Sequence, residues 1–350
     1  MAPVRLSEIR GQKRAVELLL SALRMGRVHH AWLFAGPDGV GKETTARAFA
    51  QSLLCETPLE GEACGGCLAC QKVERGAHPD LLVVLPEARA VDRGLLSREE
   101  LGRTPSRDLR IEQVRDLEGM LALAPVEAKC RVVLLVGADS MNVPAQNAFL
   151  KTLEEPPVGT HLVLLAETAD ALLPTIRSRC VRVPFAPLPL DLVAERVAEA
   201  RGVPEQQARL LAALAGGSLG RAMELTTEAL EDRARILEEL EQLDASDFRP
   251  LLALAERIAA GGRDGAEILL DAIALFYRDV AILAEGGSEE MVANRDLLPL
   301  LQRAARRGCP AALFRYREAA RAREAIERHA VPRLAVERFL IRCVLEEVAP

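Results

Sequence analysis

"GPDGVGKETT", residues Gly36–Thr45, decides how the rest of the chain is read. Gly36, Gly39 and Gly41 let the backbone curl so that successive N–H groups face phosphate oxygens, while a following helix adds its dipole and Lys42 its charge. A short apolar run, "HHAWLFAG", enters this loop and a helical pattern, "ETTARAFAQSLL", leaves it. That strand, loop and helix context is the one a phosphate-binding loop requires. The residue after the lysine normally gives a hydroxyl to magnesium, and here it is Glu43. Its carboxylate adds negative charge beside a polyphosphate, and Thr44 points about 100° further round the helix and cannot simply take over. A glutamate can itself ligate magnesium, so Gly36, Gly39, Gly41, Lys42, Glu43 and Thr44 form a degenerate nucleotide loop whose ATP binding is weakened but open. A second requirement is a strand ending in acids for the metal and the attacking water. "RVVLLVGADSMN" ends instead in Val136 and Gly137, and its first acid, Asp139, comes late and reads as the cap of the next helix. Two losses in one site predict no ATP hydrolysis by this chain alone.

Outward from the loop, "HPDLLVVLP", "RVVLLVGA", "HLVLLAE" and "CVRVPF" are four more short apolar runs separated by helical patterns. Continuous apolar strands alternating with helices predict a parallel sheet covered on both faces. One intervening helix, about 143–153, carries Ala145, Ala148, Phe149 and Leu153 at core-facing intervals and stops at "EEPP". Residues 86–109 are polar, charged and without periodicity, and read as a mobile surface loop. Pro184, Pro187 and Pro189 mark a boundary, and from Asp191 onward the pattern is helical. Seven Gly- or Pro-containing breaks divide that stretch into about eight segments. The fold class is α/β followed by one or two helical domains.

The 350 residues are 49% hydrophobic, 27% charged and 3% aromatic, with a net charge of −6. An acidic balance argues against a protein whose whole surface attracts nucleic acid, and so few aromatics argue against stacking platforms for single-stranded bases. No apolar signal core opens the chain and no stretch nears the roughly 18 consecutive apolar residues of a membrane span, which predicts a cytoplasmic protein. Four of the eight cysteines lie in "CETPLEGEACGGCLAC": Cys55, Cys64, Cys67 and Cys70. In a reducing compartment, clustered thiols at two-residue spacings point to a metal rather than disulfides, and four close the shell of a structural zinc. Cys130, Cys180, Cys309 and Cys343 are scattered among apolar neighbours and read as small core residues. His78 beside a complete shell reads as a cap or turn before its strand. Arginines crowd the tail, among them Arg303, Arg306, Arg307, Arg315, Arg317, Arg321 and Arg323. With Glu318, Glu324 and Glu327 between them they read as a solvated face.

"GQKRAVELLLSALRMGRVHHAWLFAGPDGVGK", the cysteine segment, "HPD", "NAFLKTLEEPP", "IRSRC" and "PRLAVERFLI", in that order, resemble the clamp-loader branch of the AAA+ proteins over essentially the whole chain. The resemblance implies an AAA+ P-loop domain with a parallel sheet at 1–186, its zinc module at 55–70. A small helical lid at 187–228 and an all-α collar at 229–350 would follow. It implies membership of a pentameric loader, with tau/gamma motor subunits and a delta subunit as partners, that places a sliding clamp on primer-template DNA. In motor members the strand-end acids would stand at Val136 and Gly137, and the loop hydroxyl at Glu43, so the chain departs where a non-motor member does. Arg179, in "SRC", is then carried over as an arginine finger acting in trans on a neighbour's ATP; without the resemblance it reads as a surface ion pair. Ser178 and Cys180 would shape its turn, and Arg177 is a weaker candidate. Sensor positions fall near Glu167, Thr168 and Arg221, the last displaced by one residue. Lys151, Glu154 and Glu155 are either a solvated helix end or contact residues. Two further readings remain: an ATPase in its own right, and an independent zinc-containing DNA-binding protein.

Overall fold

The computed structural model describes residues 5–346. The chain divides into two compact units. The first reaches to Leu192 and includes Ser218–Gly220; the second comprises Val193–Gly217 and the chain from Arg221 onward.

Each of the five apolar runs forms a strand: β1 (Ala31–Ala35), β2 (Leu81–Val84), β3 (Arg131–Val136), β4 (Thr160–Ala166) and β5 (Val181–Pro184). All pair in parallel, in the order β2-β3-β4-β1-β5. β1 and β3 are buried at every position, which is why they lack the alternation of a half-exposed strand. Around the sheet lie α1 (Lys13–Arg24), α2 (Lys42–Leu54), α3 (Leu68–Glu74), α4 (Glu87–Asp92), α5 (Arg98–Leu101), α6 (Ile111–Leu121), α7 (Val143–Glu154) and α8 (Pro174–Arg177). Successive strand residues point to opposite faces. Trp32, Phe34, Val132, Leu134 and Val163 join one core with Val16 and Leu19 of α1 and Phe49 of α2. Leu33, Val133, Leu135, Leu162 and Leu164 join another with Val114 and Leu117 of α6 and Phe149 of α7. The result is the expected α/β sandwich covered on both faces.

α7 matches the expected helix within a residue. Asn142 caps it by accepting from Ala145 N at 3.0 Å, Pro144 sits in its first turn, and it ends before Pro156. Ala145, Phe149 and Leu153 are buried and Ala148 half-buried. The 86–109 stretch departs from its reading as a loop: it folds α4 and α5 and is tied inward by Glu87. That carboxylate accepts from Arg103 Nη1 and Nη2 at 2.7 and 2.6 Å and from Ser106 N at 2.9 Å. The anchors are polar and 16 to 19 residues distant, so no apolar periodicity marks them.

The helical stretch holds α9 (Leu190–Arg201), α10 (Glu205–Leu214), α11 (Leu219–Glu224), α12 (Thr227–Leu240), α13 (Phe248–Ala259), α14 (Gly262–Ala284), α15 (Leu298–Ala305), α16 (Cys309–Glu327) and α17 (Pro332–Glu346). One boundary more than the sequence suggested falls at Thr226, whose Oγ1 accepts from Ala229 N at 3.2 Å and starts α12 without Gly or Pro. Leu270, Ile273, Phe276 and Val280 of α14 centre the second unit's core, with Leu254 of α13 and Phe339 and Leu340 of α17. Arg315 is not on the solvated face assigned to it. It is buried beside the Tyr277 ring and donates to Glu241 Oε1 at 3.1 Å, an acceptor it shares with Tyr277 Oη at 2.9 Å. A buried ion pair inside a helix bundle leaves no trace in charge spacing. Among the described residues no helix is long and apolar enough to cross a membrane.

Candidate functional sites of the first unit

The glycine loop leaves the carboxyl end of β1, the edge where open α/β sheets bind ligands. Gly41, at φ 98°, is the N-cap of α2. Gly39 is needed twice over: its φ is +70°, and a Cβ there would lie 2.2 Å from Ser218 Oγ and 3.0 Å from the Gly220 backbone. Gly220 N donates to Gly39 O at 3.0 Å, so residues 218–220 close on the loop directly. Lys42 is only 7% exposed, and its Nζ donates to Gly36 O at 2.5 Å and Pro37 O at 2.6 Å. Burial pushes its ammonium below the usual lysine range, against the pull of Asp38, Glu167 and Asp139. Thr44 is half-buried on the first turn of α2, and the hydroxyl that returns to the loop is that of Thr45, donating to Gly41 O at 2.8 Å.

Glu43 faces two arginines. Arg93 Nη1 and Nη2 donate to its two carboxylate oxygens at 2.9 and 2.7 Å, and Arg47 Nη2 donates to Oε1 at 2.9 Å. Burial acts to raise the carboxyl's pKa, but the arginine hydrogen bonds and charges outweigh it and hold the group below the usual carboxylate range. Arg89, one turn before Arg93, lies 3.3 Å from Glu167 and 3.8 Å from Asp38. The 86–109 segment therefore clasps the loop with two arginines. Folded this way, both carboxylate oxygens of Glu43 are engaged as ion-pair acceptors.

At the end of β3, Val136 is buried and Gly137 takes φ 71°. Asp139 does not cap the next helix, a role that falls to Asn142. Its Oδ2 accepts from Glu167 N at 2.9 Å and Thr168 N at 3.3 Å, tying the end of β3 to the end of β4. Burial, with Asp38 and Asp139 nearby, raises the pKa of Glu167. Arg221 lies on α11, in the second unit.

The sulfur atoms of Cys55, Cys64, Cys67 and Cys70 all lie within 4.8 Å of one another. Cys55 to Cys67 is 3.9 Å and Cys64 to Cys70 is 4.0 Å. Metal–sulfur bonds of about 2.3 Å in a tetrahedron give edges of about 3.8 Å, so the four thiolates fit one zinc-sized ion. Backbone N–H groups of Cys64, Cys67 and Cys70 donate to Cys55, Cys64 and Cys67 sulfurs at 3.3 to 3.4 Å, the support expected for thiolates. The module is stitched to α2 by Gln51 Nε2 donating to Cys70 O at 3.1 Å and by Ala63 N donating to Ser52 Oγ at 3.2 Å. His78 is no part of the group: its Nδ1 accepts from Asp80 N at 3.1 Å, as a turn-former does.

Arg179 follows α8. Its Nη2 donates to Glu154 Oε1 at 2.6 Å and its Nη1 to Thr175 O at 2.9 Å. The side chain is 36% exposed. Arg177 instead pairs with Asp170. Ser178 Oγ donates to Thr175 O at 3.1 Å within this turn, and burial pushes the Cys180 thiol up to about 12. Cys130, Cys309 and Cys343 likewise pack against apolar cores.

Sequence reasoning missed Arg89 and Arg93, which lie about 50 residues from the loop they clasp, in a stretch without periodicity. It also missed Asp80 and Arg131. Asp80 accepts from Val126, Glu127 and Ala128 N at 2.7 to 2.8 Å, and Arg131, 3.6 Å away, donates to Met120, Leu123 and Ala124 carbonyls. The "HPD" stretch was the only signal for that pair.

Residues 11–189 match the family model described as DNA polymerase III, delta subunit. A Pseudomonas aeruginosa DNA polymerase III subunit delta' is 39% identical over 218 residues, 61% of either chain. A Bacillus subtilis subunit delta' is 30% identical over 287 residues, 80% of either chain. The Escherichia coli DNA polymerase III subunit tau is 28% identical over 299 residues, 79% of this chain and 44% of that one. The chain thus spans about three fifths of the Pseudomonas relative and less than half of the tau subunit.

Proposed function

The chain belongs to the delta-prime family of DNA polymerase III, in the clamp-loader branch of the AAA+ proteins, and from that premise we propose that it is the loader's non-motor subunit. In this reading it binds beside tau/gamma motor subunits and a delta subunit, and helps the assembly place a sliding clamp on primer-template DNA without hydrolysing ATP itself. Residues 1–186 form the P-loop-type domain, 187–228 the lid and 229–350 the collar that joins the ring. The observation that carries the reading is the clasp on Glu43. Phosphoryl transfer needs a magnesium ligand after the lysine and acids at the end of β3. The chain has a glutamate held by Arg93 and Arg47 in the first place, and Val136 and Gly137 in the second.

Arg179 supplies the complementary half. A guanidinium is permanently charged and presents a planar fork to phosphate oxygens, so across a subunit boundary it stabilises charge developing in a neighbour's site. Cys55, Cys64, Cys67 and Cys70 hold a structural zinc that substitutes for a core in a segment with little to bury. The test is ATP turnover by the chain alone and within the complex, with and without Arg179→Ala. Silence alone, and slowed clamp- and DNA-stimulated turnover in a correctly assembled Arg179→Ala complex, are expected. Turnover by the lone chain would make it a motor instead.

A further inference from the structure

The carboxylate that meets Arg179 comes from the far end of α7, on a different element from the arginine's own turn. Glu154 is the last residue of that helix, and Glu155 follows it. Acidic groups at a helix C-terminus oppose the helix dipole, so the position is unfavourable unless a cation offsets it. Arg179 is that cation, at 2.6 Å. The partner is rigidly mounted. α7 is fixed in the core by Phe149 and Leu153, and it starts at Asn142, just after the turn in which Asp139 ties β3 to β4. Arg179's backbone is pinned as well, since its N donates to Ile176 O at 3.1 Å and Ile176 is fully buried. Arg177, by contrast, pairs with Asp170, seven residues away.

Resting on the finger reading above, we infer that Glu154 is a positioning residue for Arg179. Together with Thr175 O it fixes two of the guanidinium's five N–H groups and so aims the fork before a neighbour's phosphates arrive. A finger that had to be ordered at each encounter would lose part of its effect, because small misplacements of a reacting group cost up to about 100-fold in rate.

The experiment compares complexes carrying Glu154→Ala, Glu154→Gln, Arg179→Ala and the double Glu154→Ala/Arg179→Ala, each checked for assembly by size-exclusion chromatography. Clamp- and DNA-stimulated ATP turnover is the readout. Glu154→Ala should lower kcat about tenfold with KM within about twofold, a loss of aim rather than of ground-state binding. Glu154→Gln, whose amide oxygen still accepts, should stay within about threefold of the unaltered complex. The double variant should equal Arg179→Ala, because a positioning residue has no effect without what it positions. Unchanged kcat in Glu154→Ala, or a double variant well below Arg179→Ala, overturns the inference while a slow Arg179→Ala complex leaves the finger standing. An Arg179→Ala complex as fast as the unaltered one overturns both.

Discussion

Asp80→Ala should destabilise the first unit by about 4 kcal/mol, since removing one partner of a buried ion pair typically costs about 3–5 kcal/mol. The carboxylate is 0% exposed and accepts three backbone N–H bonds that hold residues 126–128. Arg131, 5% exposed, would be left as a buried cation among carbonyls. Trp32 is the chain's single tryptophan and lies 2% exposed in β1, so its fluorescence in urea reports the first unit alone. With a slope of about 2 kcal/mol per molar urea, the midpoint should fall by about 2 M. Arg131→Met on the Asp80→Ala background should recover part of that loss, because the orphaned charge goes with it. The pH dependence has a definite sign. Burial acts to raise Asp80's pKa, but hydrogen bonds from Ala128, Glu127 and Val126, with the Arg131 charge, lower it below the ordinary aspartate value. The unfolded chain therefore takes up the proton first. The stability this group contributes is present above about pH 4 and is lost as pH falls through the folded-state value. A midpoint shift under about 0.5 M urea, or full additivity of Asp80→Ala and Arg131→Met, would refute the reasoning.

Two other outcomes follow from the sites. The purified chain should carry one zinc ion, and chelation or Cys64→Ser should lower the Trp32 urea midpoint; absence of bound metal by elemental analysis would remove the zinc assignment. Glu43→Thr should raise the affinity of the isolated chain for magnesium-nucleotide by at least about tenfold, measured with a fluorescent analogue. It removes a carboxylate beside the phosphates and supplies a hydroxyl. Unchanged affinity would mean that the loop is closed by something other than Glu43 and its arginines.

The sheet was legible because its strands are short, mainly apolar runs bounded by Gly, Pro or polar residues, and β1 and β3 are buried at every position, β3 being apolar from Val132 onward. α7 was legible from the core spacing of Ala145, Ala148, Phe149 and Leu153 and from its end before Pro156, while its cap, Asn142, was not. The cysteine group was legible because spacing alone brings four thiolates together. What sequence did not reveal depends on polar contacts across long separations. Arg93 meets Glu43 across 50 residues, Asp80 meets the 126–128 backbone across 46 to 48, and Arg315 meets Glu241 across 74. Nothing in local charge pattern separates such arginines from solvated ones. Asp139 was misread for a related reason: a helix cap and a tie between strand ends both need a short acid after a strand, and only the position of residues 167 and 168 distinguishes them.

The most direct test of a non-motor subunit that completes its neighbour's site is ATP turnover measured first on the purified chain, then on complexes assembled with motor and delta subunits and either Arg179 or Ala at that position. The account predicts no turnover by the chain alone, clamp- and DNA-stimulated turnover in the complex, and a loss of up to about 10³–10⁵ in the rate of the site that Arg179 serves. Turnover by the lone chain that Lys42→Ala abolishes, or an undiminished rate in the assembled Arg179→Ala complex, would contradict it.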